Sequence, residues 1–222
     1  MPFSVILFLI IIVVAVPFLS IQNLKMLDAI KEIVLPNKQK LYIQSAVNQL
    51  FLTSIALWAA DSSLITINYI GTFSTYAMLG AACFLAIACT LSYISSRNKA
   101  ITDTNPGLEL LTPNTFKEKC TWVMVNLVAA SCEEIIFRGV LFQLFLRSTQ
   151  NYWAAGIISA LVFGFAHSVQ GIGGILLTAV FGLGLQHIVY LNNGLLVAML
   201  VHFVYNMVTT FLLLSKPKPE VH

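Results

Sequence analysis

Glu133, Glu134 and Arg138 lie within six residues of one another inside a long apolar run, and His167, His202 and Asn206 stand in two later apolar runs. An ionisable side chain at the centre of a membrane helix costs roughly 3 kcal/mol on insertion scales, so such a residue marks a functional site by default. Nearly all the other charges of this chain fall in polar connections. Two carboxylates, two imidazoles and an amide suit hydrolysis. A buried carboxylate is a stronger base than one in water and can take a proton from a water molecule near neutral pH. His and Asn side chains can donate hydrogen bonds to an oxyanion that develops in a dry site.

Helical phase narrows the assignment. Residues four apart share a helix face, which pairs Glu134 with Arg138, His202 with Asn206, and Phe163 with His167. Glu133 is rotated about 100° from Glu134. The simplest division gives Arg138 to Glu134 as an ion pair and leaves Glu133 to face water or His167. At 1.5 Å per residue, Glu133 lies roughly 18 Å from Thr121 and His202 roughly 12 Å from Gly194. Entering from opposite faces of a core about 30 Å thick, the two reach the same depth. Asn206 and His167 come out roughly 6–10 Å nearer the cytoplasmic face, so the site is expected to open inward.

Other readings use the same residues differently. The Glu-Glu-Arg cluster could be a buried ion pair that fixes two helices, although one carboxylate then stays unmatched. Two histidines and two glutamates could bind zinc, but the HExxH signature is absent. Cys132 adjoins Glu133, and its acidic and apolar surroundings disfavour a thiolate nucleophile. There is no GxSxG. Phe163 reads as packing, His187 and His222 as incidental. Gly171, Gly173 and Gly174 read as a tight turn, and Gly182 and Gly184 as sites of close helix packing.

The elements that must position these residues follow from composition. Of 222 residues, 58% are apolar and 9% charged, with mean hydropathy +0.86. That is too little polar surface to coat a soluble domain, in which roughly 25% of residues are charged. Apolar runs of about 20 residues argue for helices rather than a barrel. The fold class is therefore all-α, a polytopic transmembrane bundle. Spans are expected at 3–21, 41–60, 74–95, 121–146, 152–168, 173–192 and 194–214. That makes seven, or eight if Gly139 splits the fourth. The first run lacks a basic leader and a small-x-small site and reads as a retained helix. Pro106, Gly107 and Pro113 break helices between the third and fourth spans, and Asn114 or Thr115 caps the helix that follows. Cys83, Cys89, Cys120 and Cys132 form no CxxC pair and read as small core residues. A net charge of +3 gives no case for nucleic acid. The connections 22–40 and 96–120 and the tail 215–222 hold ten of the twelve Lys and Arg, which puts them in the cytoplasm and the N-terminus outside.

The sequence Glu133-Glu134-Ile135-Ile136-Phe137-Arg138, with Phe163-x-x-x-His167 and His202-x-x-x-Asn206, resembles the three motifs of the CPBP intramembrane proteases. That family comprises CAAX prenyl endopeptidases of the Rce1 type and the bacteriocin-processing, or Abi, enzymes. The resemblance covers about residues 115–214. It implies that Glu133 and His167 activate a water, that His202 and Asn206 stabilise the oxyanion, and that Glu134 and Arg138 complete the site. It divides the chain into N-terminal spans (1–110), a catalytic membrane core (111–214) and a short cytoplasmic tail (215–222). The expected protein is an intramembrane endopeptidase in the cytoplasmic membrane of a prokaryote, acting on a membrane-associated protein or peptide with no cofactor and no obligatory zinc. The competing class is a non-proteolytic scaffold or bacteriocin-immunity protein. A transporter fits less well, because neither inverted repeats nor matching broken helices are visible.

Overall fold

Three polar side chains start helices. Asn37 accepts from the backbone N–H of Gln39 and Asn151 from that of Ala154, each at 3.0 Å. Thr115 and Glu118 form a reciprocal capping box, which satisfies backbone donors at both ends of that turn. The computed structural model describes residues 1–29, 37–97 and 112–214. In it the chain forms α1 (Phe3–Leu9), a π-helical segment (Ile10–Ala15), α2 (Val16–Ala29), α3 (Lys38–Ser62) and α4 (Thr75–Arg97). After these come α5 (Phe116–Glu134), a second π-helical segment (Ile135–Leu141), α6 (Phe142–Thr149), α7 (Tyr152–Ala166), a 3-10 turn (Ser168–Gln170), α8 (Gly171–Asn192) and α9 (Leu196–Leu214). No strand occurs among the described residues, and their helices join into seven rods.

Several boundaries differ from expectation. The first helix continues past residue 21 to Ala29, because Gln22–Ala29 loses apolarity but contains no helix breaker. Its π-helical segment precedes Pro17, which has no N–H to donate and whose ring crowds the preceding turn. Gly139 does not split the fourth rod. The helix stays continuous and widens instead, with the Phe142 N–H reaching back to the carbonyl of Phe137. The expected breaks at Pro106 and Gly107 and the tail 215–222 lie outside the described residues.

Side-chain contacts fix the relative directions of the rods. Lys38 Nζ donates to the Thr112 carbonyl at 2.8 Å, the Tyr42 and Trp122 rings meet at 4.9 Å, and Gln49 Nε2 donates to Glu133 Oε1 at 2.8 Å. These contacts climb α3 and α5 together, so the two are parallel and start on the same side. Trp122 Nε1 donates to Thr210 Oγ1 at 3.1 Å while Glu134 meets His202 farther up, so α9 runs antiparallel to α5. At the far side, the segment after α3 is bonded to the turn after α8 through Leu195 N to Asn68 O (3.0 Å) and Leu196 N to Tyr69 O (2.8 Å). Only glycines fit there: a Cβ on Gly71 would stand 2.3 Å from the Asn192 carbonyl, and one on Gly194 2.5 Å from Gly71 Cα. Arg147 donates to the carbonyls of Ser63 and Leu64 and so closes the end of α3.

The core has two parts. Val5, Phe8 and Ile12 pack with Ala56, Ala59 and Ala60 of α3, with Ile136, Phe137, Val140 and Leu141 of the second π segment, and with Val162 and Phe163 of α7. Ala81 of α4, Phe181 and Leu185 of α8, and Val197, Ala198 and Val201 of α9 form the other. Small residues at these seams let backbones approach, as helix association in lipid requires. Outward faces are apolar and exposed, for example Ile43, Val47, Leu79, Ile157, Val180 and Leu200. Phe3–Asn23, Thr75–Ile94, Phe116–Thr149 and Ser168–Asn192 are long and apolar enough to cross a membrane, and Tyr152–Ala166 and Leu196–Leu212 are shorter apolar helices. α3, expected as the second span, is long enough but less apolar, because its first half carries Gln44, Ser45, Asn48 and Gln49.

Candidate active site

The two glutamates end α5, where the second π segment begins, and the site forms where that junction meets α3, α7, α8 and α9. Glu133 is 9% exposed and Glu134 fully buried. Arg138 NH1 donates to Glu134 Oε1 at 2.9 Å, so the ion pair expected from helical phase forms. Arg138 NH2 donates to the Gly182 carbonyl at 3.0 Å, and the guanidinium lies 4.3 Å from the centroid of the Phe163 ring. Three partners therefore hold one buried cation: a carboxylate, a carbonyl dipole and an aromatic face. A Cβ on Gly182 would come within 2.9 Å of the Phe163 ring and 3.0 Å of Arg138 NH2. Gly182 thus serves close approach at the site itself. Phe163, expected only to pack, also supports the cation, and its ring meets His167 edge-on at 4.6 Å.

Glu133 faces the other way, as expected. Its Oε2 lies 3.8 Å from His167 Nε2 and 3.7 Å from His202 Nε2. His167 closes the C-terminus of α7, and its Nδ1 lies 2.8 Å from the Phe163 carbonyl. A carbonyl only accepts, so Nδ1 carries the proton and a neutral His167 presents an Nε2 lone pair toward Glu133. His202 bridges the two glutamates, with Nδ1 2.8 Å from Glu134 Oε1. The structure thus brings Glu133, Glu134, Arg138, His167 and His202 into one cluster. Asn206 lies one turn away on α9. Its carbonyl accepts from Thr209 and Thr210, and its side chain makes no hydrogen bond to another described residue. His187 stacks on Tyr190, away from the cluster. Among the described residues, no group of three His, Cys, Asp or Glu side chains is arranged to hold a metal ion.

Residues 116–208 match the family model described as type II CAAX prenyl endopeptidase Rce1-like. Over those residues the chain is similar to that family. No curated protein and no solved structure matches the chain. The Rce1-like segment is less than half of the chain but holds all six residues singled out from the sequence. With its apolar helices, it makes the chain an integral membrane protein of the all-helical, polytopic class. α1 to α4 lie outside the Rce1-like segment, yet α3 sends one side chain into its centre: Gln49, whose amide holds Glu133 Oε1. The reading from motifs missed Gln49. The signal for it was visible as four polar residues, Gln44, Ser45, Asn48 and Gln49, at helical spacing within a run expected to be apolar.

Proposed function

We propose that the chain is an intramembrane endopeptidase in which Glu133 and His167 activate a water that attacks a peptide carbonyl in a membrane-associated protein or peptide. The observation that carries this reading is the placing of two acceptors side by side. Glu133 Oε2 and His167 Nε2, 3.8 Å apart, are too far for a direct hydrogen bond. One water can donate a proton to each and turn a lone pair outward. Its oxygen bonds to the carbonyl carbon and its proton passes to Glu133. The tetrahedral oxyanion then accepts hydrogen bonds from His202 Nε2 and Asn206. For His202 to donate from Nε2 while its Nδ1 faces the Glu134 carboxylate, the ring must hold both protons. Collapse breaks the C–N bond, and Glu133 returns the proton to the leaving amine. Arg138 and Glu134 hold His202 in place. Hydrolysis on this route needs no metal.

Comparison of protein N-termini in wild-type and Glu133→Gln cells tests the activity. New N-termini that vanish in the variant are expected; identical profiles would sink the protease reading. Exhaustive chelation of the purified enzyme should leave its rate unchanged, and loss of activity restored by stoichiometric zinc would reverse the assignment.

The proposed orientation puts the N-terminus outside and the C-terminus in the cytoplasm, which keeps the basic connections inside. Cysteines substituted at the exposed positions Lys40 and Lys117, in a cysteine-free background, are then shielded from an impermeant thiol reagent in intact cells, whereas one at exposed Asn193 reacts. Labelling at 40 or 117 from outside overturns this topology.

A further inference from the structure

Below Ile12 the first rod and α3 part company. α1 packs on the second half of α3, through Val5 and Phe8 against Ala56, Ala59 and Ala60. α2 packs instead on α7 and the 3-10 turn, where the Val169 N–H donates to Ser20 Oγ at 3.2 Å. The first half of α3 is thereby left with an open cleft of about 320 Å³ lined by Leu41, Gln44, Ser45, Asn48, Gln49 and Leu52. Its polar members follow the i, i+4 and i+1, i+5 rows of one helical face. The adjoining face, Ile43, Val47 and Leu50, is apolar and exposed. Gln44, Ser45 and Asn48 make no side-chain hydrogen bond to another described residue, and Gln49 at the deep end binds the Glu133 carboxylate at 2.8 Å. Gln44, Ser45 and Asn48 are exposed, and polar groups carried to membrane depth are costly unless something hydrogen-bonds to them.

We infer that this stripe is a substrate subsite that holds the extended main chain of the polypeptide next to the scissile bond. The inference rests on the protease reading. A strand drawn into the membrane must satisfy its N–H and C=O groups. Each primary amide of Gln and Asn offers two donors and an acceptor, and Ser adds a hydroxyl that does both. The track is uncharged and so suits a backbone rather than a charged side chain. It ends at Gln49, so a main chain lying on it is delivered to Glu133.

The probe for the test is the polypeptide whose cleavage in cells depends on Glu133, presented to the purified full-length protein in lipid nanodiscs. Gln44→Leu and Asn48→Leu should each raise KM roughly three- to tenfold, the loss of about one hydrogen bond, with kcat within about twofold and the thermal unfolding midpoint unchanged. Val47→Leu, on the lipid face, should change none of these. A fall in kcat with KM unchanged would show that the stripe conducts water only and would overturn the inference, as would wild-type kinetics in both variants. Absence of any Glu133-dependent cleavage removes the protease reading and the subsite with it. Glu133-dependent cleavage insensitive to positions 44 and 48 removes the subsite alone.

Discussion

Glu133→Gln should lower the cleavage rate by about a hundred- to ten-thousand-fold, the range of a lost general base, while the protein still folds. Glutamine keeps the size of glutamate, and its amide oxygen can still accept the bond from Gln49 Nε2 that Glu133 Oε1 receives at 2.8 Å. What it cannot do is take a proton from water. Its NH2 group would also face His167 Nε2 as a donor, 3.8 Å away in the native arrangement, and cap the other acceptor. Packing changes little, because Glu133 has no cation bound to it directly. The measurement is the cleavage rate beside the unfolding midpoint in detergent. Near-normal cleavage by Glu133→Gln together with a folded but inactive Glu134→Gln would mean that the roles within the pair are swapped.

The second large effect is on stability. Arg138→Ala should destabilise the fold by about 3–5 kcal/mol, as breaking a buried ion pair from one side does. Glu134, with no exposed surface, would lose the guanidinium that pairs with it, and the Gly182 carbonyl would lose its donor. The Phe163 ring would lose the group that covers its face. Glu134→Gln should resemble Arg138→Ala, because it leaves the guanidinium buried against a neutral amide. Arg138→Lys should be intermediate: an ammonium keeps the charge but cannot reproduce the planar fork that reaches Glu134 and Gly182 while lying on Phe163. Activity should fall in all three, because His202 Nδ1 takes its position from Glu134 at 2.8 Å. Denaturation midpoints alongside cleavage rates decide the matter. An Arg138→Ala protein that unfolds at the wild-type midpoint would show that the pair contributes nothing to the fold.

Membership in the all-helical membrane class was legible from composition and run length together: 9% charged residues point to lipid, where only helices or closed barrels satisfy the backbone, and apolar runs of about 20 residues argue for helices. The division of the glutamate pair was legible too. Four-residue spacing puts Arg138 over Glu134 whether or not tertiary structure is known, and the pair forms even though the π-helical segment begins between them. A cap at Asn114 or Thr115 was readable too, and Thr115 supplies it. Such features are local: they depend on one helix and its own periodicity.

Contacts between rods were not legible, since periodicity says which face a residue occupies but not what that face meets. His202 was assigned with Asn206 from their shared face, yet the crossing of α9 over α5 decides that its Nδ1 meets Glu134 and its Nε2 looks toward Glu133. Gln49 lies 84 positions before Glu133 in the chain and reaches it only because α3 runs parallel to α5. Gly182 read as a generic packing glycine until α8 was seen to lie where a methyl group would strike both Phe163 and Arg138. Sequence by itself determined the solvent, the helices and the inventory of chemical groups, because apolar surface, backbone hydrogen bonding and helical phase are properties of the chain. Tertiary structure alone decided which groups of different rods meet, because at 3–4 Å range a hydrogen bond between rods depends on how they are set against each other.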